Sequence, residues 1–334
     1  MSSGPSDSRR EFVRRLWRAA LMAAGTGALG VSLWDPEGPT GKEPGKTRIR
    51  LPDYSVPGQA GRIAVARGGS RSQNVSAVVK ALGGMALFVR PGDKVLLKVN
   101  AAFAAPPVIG ATTHPDVVRQ VAASCFDAGA RQVMVADNPI NDPASCFSLT
   151  GIEAAARQAG ARVMLPRPDR FETFSLKGGR LIRDWPLFSA PLKWADKVIG
   201  LAPVKDHHRS GASLGIKNWY GLLGGRRNVF HQQIHSIIAD LAMLVKPTLV
   251  ILDGTWSMMA NGPTGGSSDD LKETRTVIAG TDPVAVDALG ATLLGKTAQE
   301  LPHLKMAESA GAGTVDYRSL NPVEVNASRG YGQA

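Results

Sequence analysis

Cysteine is nearly absent from this sequence. Only Cys125 and Cys146 occur among 334 residues, and no C-x-x-C pair is present. That excludes a cysteine-ligated iron–sulfur cluster or zinc centre. Aromatic residues are scarce, at 6%. No uninterrupted apolar run reaches the ~20 residues that a membrane-crossing helix needs. The net charge of +11 is not carried by a dense Lys/Arg tract with interleaved aromatics, so nucleic acid is not an expected partner. A nicotinamide oxidoreductase has little support, because no glycine-rich fingerprint follows a strand. A serine hydrolase is likewise set aside.

What is present begins with an address. Part of the charge excess sits in Arg9, Arg10, Arg14, Arg15 and Arg18, ahead of a mildly apolar run over 19–34. Ser8-Arg9-Arg10-Glu11-Phe12-Val13 resembles the twin-arginine export signal. The resemblance implies the twin-arginine translocase as a partner and a periplasmic or other extracytoplasmic location, since that route exports folded proteins. The small residues Ala28 and Gly30 could mark a cleavage site; an uncleaved anchor is the alternative. Residues 35–61 are rich in Pro and Gly and are expected to be a linker. The domain is expected over 62–330, as one body or two intimate lobes. Folding before export favours two separate buried thiols at Cys125 and Cys146 over a disulfide.

From residue 62 onward, short β-rich runs alternate with helical runs. Strands are expected at 62–68, 93–100, 131–138, 162–166, 196–204, 248–254 and 274–281. Helices are expected at 74–84, 113–130, 150–161, 231–245 and 282–295. Thr150 and Glu153 have capping-box spacing. Asp282 before Pro283 reads as a helix cap. The near-continuous apolar strands point to an α/β fold: a mainly parallel, doubly wound, Rossmann-like sheet with helices on both faces. In such sheets ligands bind beyond the carboxyl ends of the strands. Lys98 and Asn100, Asp137 and Asn138, Lys205 to His208, and Asp253 all fall at those ends, with His114 in a loop before a helix.

The stretches "VRPGDKVLLKVN", "THPDVVRQVAASCFDAGARQVMVADNP", "APVKDHH", "LGIKNWYGLL", "HQQIHSIIADL", "KPTLVILDGTWSMMANGPTGG" and "AGTDPVAVDALGATLLG" resemble the domain of unknown function 362 family. They span about 62–313. Some relatives carry cysteine-rich iron–sulfur segments, which this chain lacks. Val99 stands where relatives commonly have proline. The resemblance implies no particular reaction.

The segment 204–235 holds four of the six histidines. His231 and His235 are i and i+4 on the expected helix, a spacing that suits one shared metal. Gln232 stands where a metalloprotease needs Glu, so that class is disfavoured. Of His207 and His208, the former shares a face with Lys205 and is expected to look into the site. "GASLGIKN" fails the Walker A spacing, yet its glycines, with Lys217, Arg226 and Arg227, suit an anion. Asp287 interrupts an apolar helix and needs a partner, with Lys98 or Lys217 as candidates. Arg209, Trp219 and Tyr220 are ligand-recognition candidates, the two aromatics being as readily core residues.

The expectation is a cleft for a small anion and, as an open alternative, a divalent metal. His207, His231, His235 and Asp253 are the metal candidates. Asn100, Arg209, Lys217, Asn218 and Arg226 are the anion-binding candidates. Lys98, Asp137, Lys205 and Asp287 are the acid/base candidates. A metal-assisted hydrolase or an isomerase would use these groups. A non-catalytic metal or anion carrier outside the cytoplasm, or a redox accessory factor without its own cluster, are the competing readings.

Overall fold

The computed structural model describes residues 5–32 and 49–328. Two compact units are separable, 1–45 and 46–334. Among its described residues the first holds one helix, α1 (Pro5–Ser32). Every side chain from Arg9 to Thr26 is exposed, and Arg15 reaches back to Glu11 at 2.7 Å. Among the described residues no helix is long and apolar enough to cross a membrane. Part of the expected linker, 35–48, lies outside the described residues. Its remainder is not a free tether. Tyr54 is buried, donates its hydroxyl to Leu192 O (2.9 Å) and its N–H to Lys246 O (3.1 Å), and its carbonyl accepts the Thr248 hydroxyl (2.7 Å). The folded domain therefore begins before Gly61.

The second unit runs β1 (Ile63–Arg67), α2 (Arg71–Ala81), β2 (Lys94–Lys98), α3 (Pro115–Asp127), β3 (Gln132–Ala136), α4 (Pro143–Leu149), α5 (Ile152–Gln158) and β4 (Arg162–Met164). A two-stranded antiparallel sheet follows, β5 (Phe171–Phe174) with β6 (Trp185–Phe188). Then come α6 (Ala190–Trp194), β7 (Lys197–His207), β8 (Gly211–Ser213), α7 (Gly215–Asn218), α8 (Ile234–Leu244), β9 (Leu249–Met258), β10 (Leu271–Gly280), α9 (Pro283–Thr292), α10 (Pro302–Ser309) and β11 (Val323–Asn326). The main sheet has nine strands, ordered β11-β1-β10-β9-β7-β2-β3-β4, with β8 paired to β7. It is mainly parallel, as expected. The exceptions are β10, antiparallel to both β1 and β9, and the short β8.

Two-residue periodicity divides the core. Leu96, Val198, Val250, Leu252 and Ile278 face one side, packed with Ile237 and Leu241 of α8 and Val284 of α9. Val95, Leu97, Ile199, Ile251 and Val277 face the other, packed with Val75 of α2 and Val118 and Val121 of α3. Helices begin where local chemistry satisfies their free N–H groups. Ser70 and Gln73 form a capping box on α2, and Asp282 caps α9 ahead of Pro283. The box expected from Thr150 and Glu153 does not form. Thr150 ends α4 with its hydroxyl on Cys146 O (2.6 Å), and Gly151, in the left-handed region, starts α5. Cys125 and Cys146 are both buried and unpaired; burial pushes the Cys125 thiol up to about 12.

From β2 the chain winds through α3 towards β3 and β4. From β7 it winds through α8 towards β9, on the opposite face. The neighbours β2 and β7 thus form the topological switch point, and their carboxyl ends open a crevice between diverging connections.

Candidate functional site

A cavity of about 90 Å³ lies in that crevice. Its floor comes from the ends of β2 and β3. Lys98 is fully buried, with Nζ 2.7 Å from Asp137 Oδ1 and hydrogen bonds to Val99 O (2.6 Å) and Asn218 O (2.9 Å). Asp137 also accepts the Ala101 N–H (2.6 Å) and the Asn138 N–H (2.9 Å). Burial lowers the Lys98 pKa and the Asp137 charge opposes that. Asp137 lines the cavity, but both of its carboxylate oxygens already accept hydrogen bonds. Lys98 is sealed beneath and does not line it. Both therefore build the floor, whereas sequence reasoning gave them acid/base work. Gly221 allows the close fit: a Cβ there would fall 1.9 Å from Asp137 Oδ1 and 2.9 Å from Lys98 Nζ.

One wall is the end of β7, which runs three residues beyond the expected Val204. Strand alternation puts Lys205 and His207 on the cavity side together, as expected, while His208 is exposed. Lys205 Nζ donates to Ala111 O (2.5 Å) and Pro263 O (3.0 Å) and sits 5.4 Å from the centre of the Phe103 ring. Burial, then the Lys217 charge, bring its pKa down to about 7. His207 Nδ1 accepts two backbone N–H groups, from Arg209 and Ser210, both at 3.2 Å. Such a nitrogen cannot carry a proton, so the ring is held with its proton on Nε2. Burial, then Lys217, depress its pKa to about 2, keeping it neutral.

The opposite wall is α7 and the residues after it. Asn218 is a latch: its Nδ2 donates to Lys98 O (3.2 Å) and Leu201 O (3.1 Å). Lys217 is different. Its Nζ lies 5.6 Å from the Tyr220 ring centre and makes no hydrogen bond or ion pair among the described residues. Burial, then the Arg227 charge, lower it to about 8. Arg227 spends its Nη atoms on Leu223 O (2.9 Å), Asn138 O (2.7 Å) and neighbouring carbonyls. Of the two arginines named for the anion, Arg227 lines the cavity and Arg226 is exposed. Tyr220 donates its hydroxyl to Arg227 O at 2.5 Å. His231 Nδ1 lies 3.2 Å from that hydroxyl oxygen and 3.2 Å from Asn228 O. A nitrogen facing a carbonyl must hold the proton, so His231 keeps a bare lone pair on Nε2. Burial first, then Lys217, lower its pKa.

His231 and His207 both line the cavity, with ring centres 6.2 Å apart. Asn100 lines it too, as expected. The remaining candidates do not converge. The expected helix from His231 begins only at Ile234; 227–233 form a 3-10 helix, which turns His231 and His235 away from a common face. His235 instead pairs with buried His303, Nδ1 to Nδ1 at 3.2 Å. Asp253 binds Arg71 Nε at 2.6 Å in a separate region. Asp287 meets neither Lys98 nor Lys217: it accepts the Gly215 N–H (2.8 Å) and Ile216 N–H (2.9 Å) at the start of α7. Burial raises it to about 7. Arg209 is exposed and reaches only His231 O at 3.4 Å. Trp219 is core, its ring against Gly200. The metal set His207, His231, His235 and Asp253 is therefore not assembled. Among the described residues no group of three or more His, Cys, Asp or Glu could hold a metal ion.

Sequence reasoning passed over some residues. Gly211–Gly215 do spell G-x-S-x-G, and Ser213 lines the cavity. Yet Ser213 lies in an antiparallel strand, its backbone is not left-handed, and its Oγ has no imidazole or amine bonded to it. It is not a nucleophile elbow. Phe103 and Pro263 come from loops with no chemical motif.

A family model described as Domain of unknown function (DUF362) matches residues 95–292. The thylakoid-associated protein sll1697 of Synechocystis sp. is 28% identical over 256 residues, covering 73% of this chain and 76% of that protein. Among solved structures, the lactate racemase apoprotein of Thermoanaerobacterium thermosaccharolyticum is similar at TM-score 0.36 and 13% identity, covering 79% of this chain and 59% of that one. A Thermotoga maritima protein is similar at TM-score 0.34 and 11% identity, covering 72% and 58%. This chain thus spans about three-fifths of the length of those two solved chains.

Proposed function

The chain belongs to the family Domain of unknown function (DUF362), and within it we propose a small-anion site that moves a proton on its ligand. The observation that carries this reading is the pair His207 and His231, fixed by their surroundings in opposite tautomers over one cavity. One ring offers an N–H and the other a lone pair. A proton acceptor and a proton donor on one ligand are what isomerisation beside a carbonyl requires. Lys205, Lys217 and Arg227 supply positive charge, while Asp137 is already neutralised by Lys98. A carboxylate or phosphate suits that field. In this reading Lys217, which lines the cavity and makes no hydrogen bond among the described residues, receives the anion. His231 Nε2 removes the proton and His207 Nε2–H donates to the oxygen that gains charge.

Metal-assisted hydrolysis loses support because its ligand set is spread over three regions. The test is deuterium uptake. Small 2-hydroxy, 2-oxo and phosphorylated acids are incubated with protein in heavy water and followed by proton NMR. Exchange at a carbon next to the carbonyl, abolished in His231→Gln, is the expected result. Binding of the same acids with no exchange anywhere in the panel would instead make the cavity a carrier site.

We also infer export by the twin-arginine route, on the strength of Ser8–Val13 and the exposed arginines that follow. Arg9→Lys together with Arg10→Lys is expected to leave the full chain inside the cell. Unchanged export of that variant would rule the route out.

A further inference from the structure

A second cavity, of about 570 Å³, is not used by the reading above. It lies between the start of α2, residues 106–110, the N-cap of α3 and the outer part of β9. Its size is in the range of organic-ligand pockets, roughly 300–1,000 Å³. Pro107, Val108, Trp256 and Leu271 make its walls apolar. Val108 is 66% exposed and Trp256 43% exposed, so large apolar side chains stand open to water around one hollow.

The polar side chains of the lining are few: Arg71, His114 and Ser268, whose hydroxyl can donate or accept. Arg71 is held by its Nε on Asp253 Oδ2 at 2.6 Å, with only 15% of its side chain exposed. Asp253 is itself steadied by the Thr255 N–H at 2.9 Å. The two Nη atoms of Arg71 make no hydrogen bond among the described residues. A guanidinium anchored by Nε, with both Nη atoms free, is the fork that grips a planar acid group through two bonds. His114 adds another donor. Its Nδ1 accepts the Asp116 N–H (3.2 Å), which leaves the ring proton on Nε2, and burial, then the Arg71 charge, lower its pKa.

We propose that this cavity binds an organic anion with an apolar body, its acid group on the Arg71 guanidinium and its body against Trp256, Pro107 and Leu271. The site goes beyond the proton-transfer reading and stands or falls without it. The loop after β2 contributes to both cavities: Phe103 lines the first and Pro107 the second.

The experiment is calorimetric titration of the full chain with naphthalene-1-carboxylate and, in parallel, naphthalene-1-carboxamide. The acid is expected to bind at least about tenfold more tightly, since only it brings a negative charge and two acceptor oxygens to the paired Nη atoms. Arg71→Gln should remove that preference. Because Arg71→Gln also strips Asp253 of its partner, Val108→Asp provides a second variant at an exposed position. It places a carboxylate at the mouth and should weaken the acid about tenfold. Lys217→Met, in the other cavity, should leave the affinity within about twofold. Equal affinity for acid and amide, no heat from either at millimolar concentration, or loss of binding in Lys217→Met but not in Val108→Asp would overturn the proposal. Deuterium uptake at the first cavity reports on the other reading separately.

Discussion

The rings of His207 and His231 lie nearly parallel, 19° apart in plane, and carry their protons on different nitrogens. Their surroundings impose this, since two N–H groups aim at one Nδ1 and a carbonyl aims at the other. Nitrogen-15 NMR of labelled histidine at neutral pH is expected to show a protonated Nε2 for His207 and a protonated Nδ1 for His231. Tyr220→Phe leaves the Asn228 carbonyl facing His231, so Nδ1 should stay protonated and the His207 signals should stay in place. Identical tautomers in the wild type would remove the basis for an acid/base pair.

Anion binding should weaken as pH rises. Lys205 and Lys217 have pKa values drawn down to about 7 and about 8. Lys205 therefore loses its charge around neutrality and Lys217 just above it, instead of above pH ~10. Titration with acetate, whose charge is constant across pH 6–9, should show affinity falling through that window, with Lys217→Met flattening the upper part. A pH-independent affinity would mean these lysines do not face the anion.

Gly221→Ala tests the floor of the cavity. The added methyl would sit within 1.9 Å of Asp137 Oδ1 and force the Lys98–Asp137 pair apart. Overpacking and a disturbed buried ion pair together should cost about 3 kcal/mol or more. Urea unfolding measures it. A loss below about 0.5 kcal/mol would mean the pair contributes little to the fold.

Asp287 supplies a pH signature of stability. Its folded pKa, pushed up by burial to about 7, stands above the ordinary value of 3.8. A raised carboxyl contributes stability that is fully present below the unfolded value and is lost as pH rises through the folded one. This contribution should thus be largest below pH ~4 and gone above pH ~7. Asp287→Asn should remove that slope. Because an amide nitrogen cannot accept from Gly215 or Ile216, it should also cost about 1–3 kcal/mol. Denaturation midpoints of both proteins across this range decide it.

The sheet was legible in the sequence because apolar strands with period two, separated by capped helices, leave few alternatives. Lys205 and His207 were placed on one face by the same alternation. Side-chain partners were harder to read. Asp287 looked like a charge awaiting a lysine, but two backbone N–H groups at the start of α7 satisfy it, and no sequence pattern announces those. His231 and His235 had helical spacing, yet residues 227–233 wind as a 3-10 helix and α8 starts only at Ile234, which no local pattern announces. Arg71 and Asp253 stand 182 positions apart and meet only because β1 and β9 flank β10.

Backbone carbonyls hold Lys205 and Arg227 in place before any ligand arrives. The freedom those long side chains would lose on binding has already been spent in folding, so a ligand orders little beyond Lys217. Among related ligands, association rates should stay close together, and preference should be written in how long each one stays.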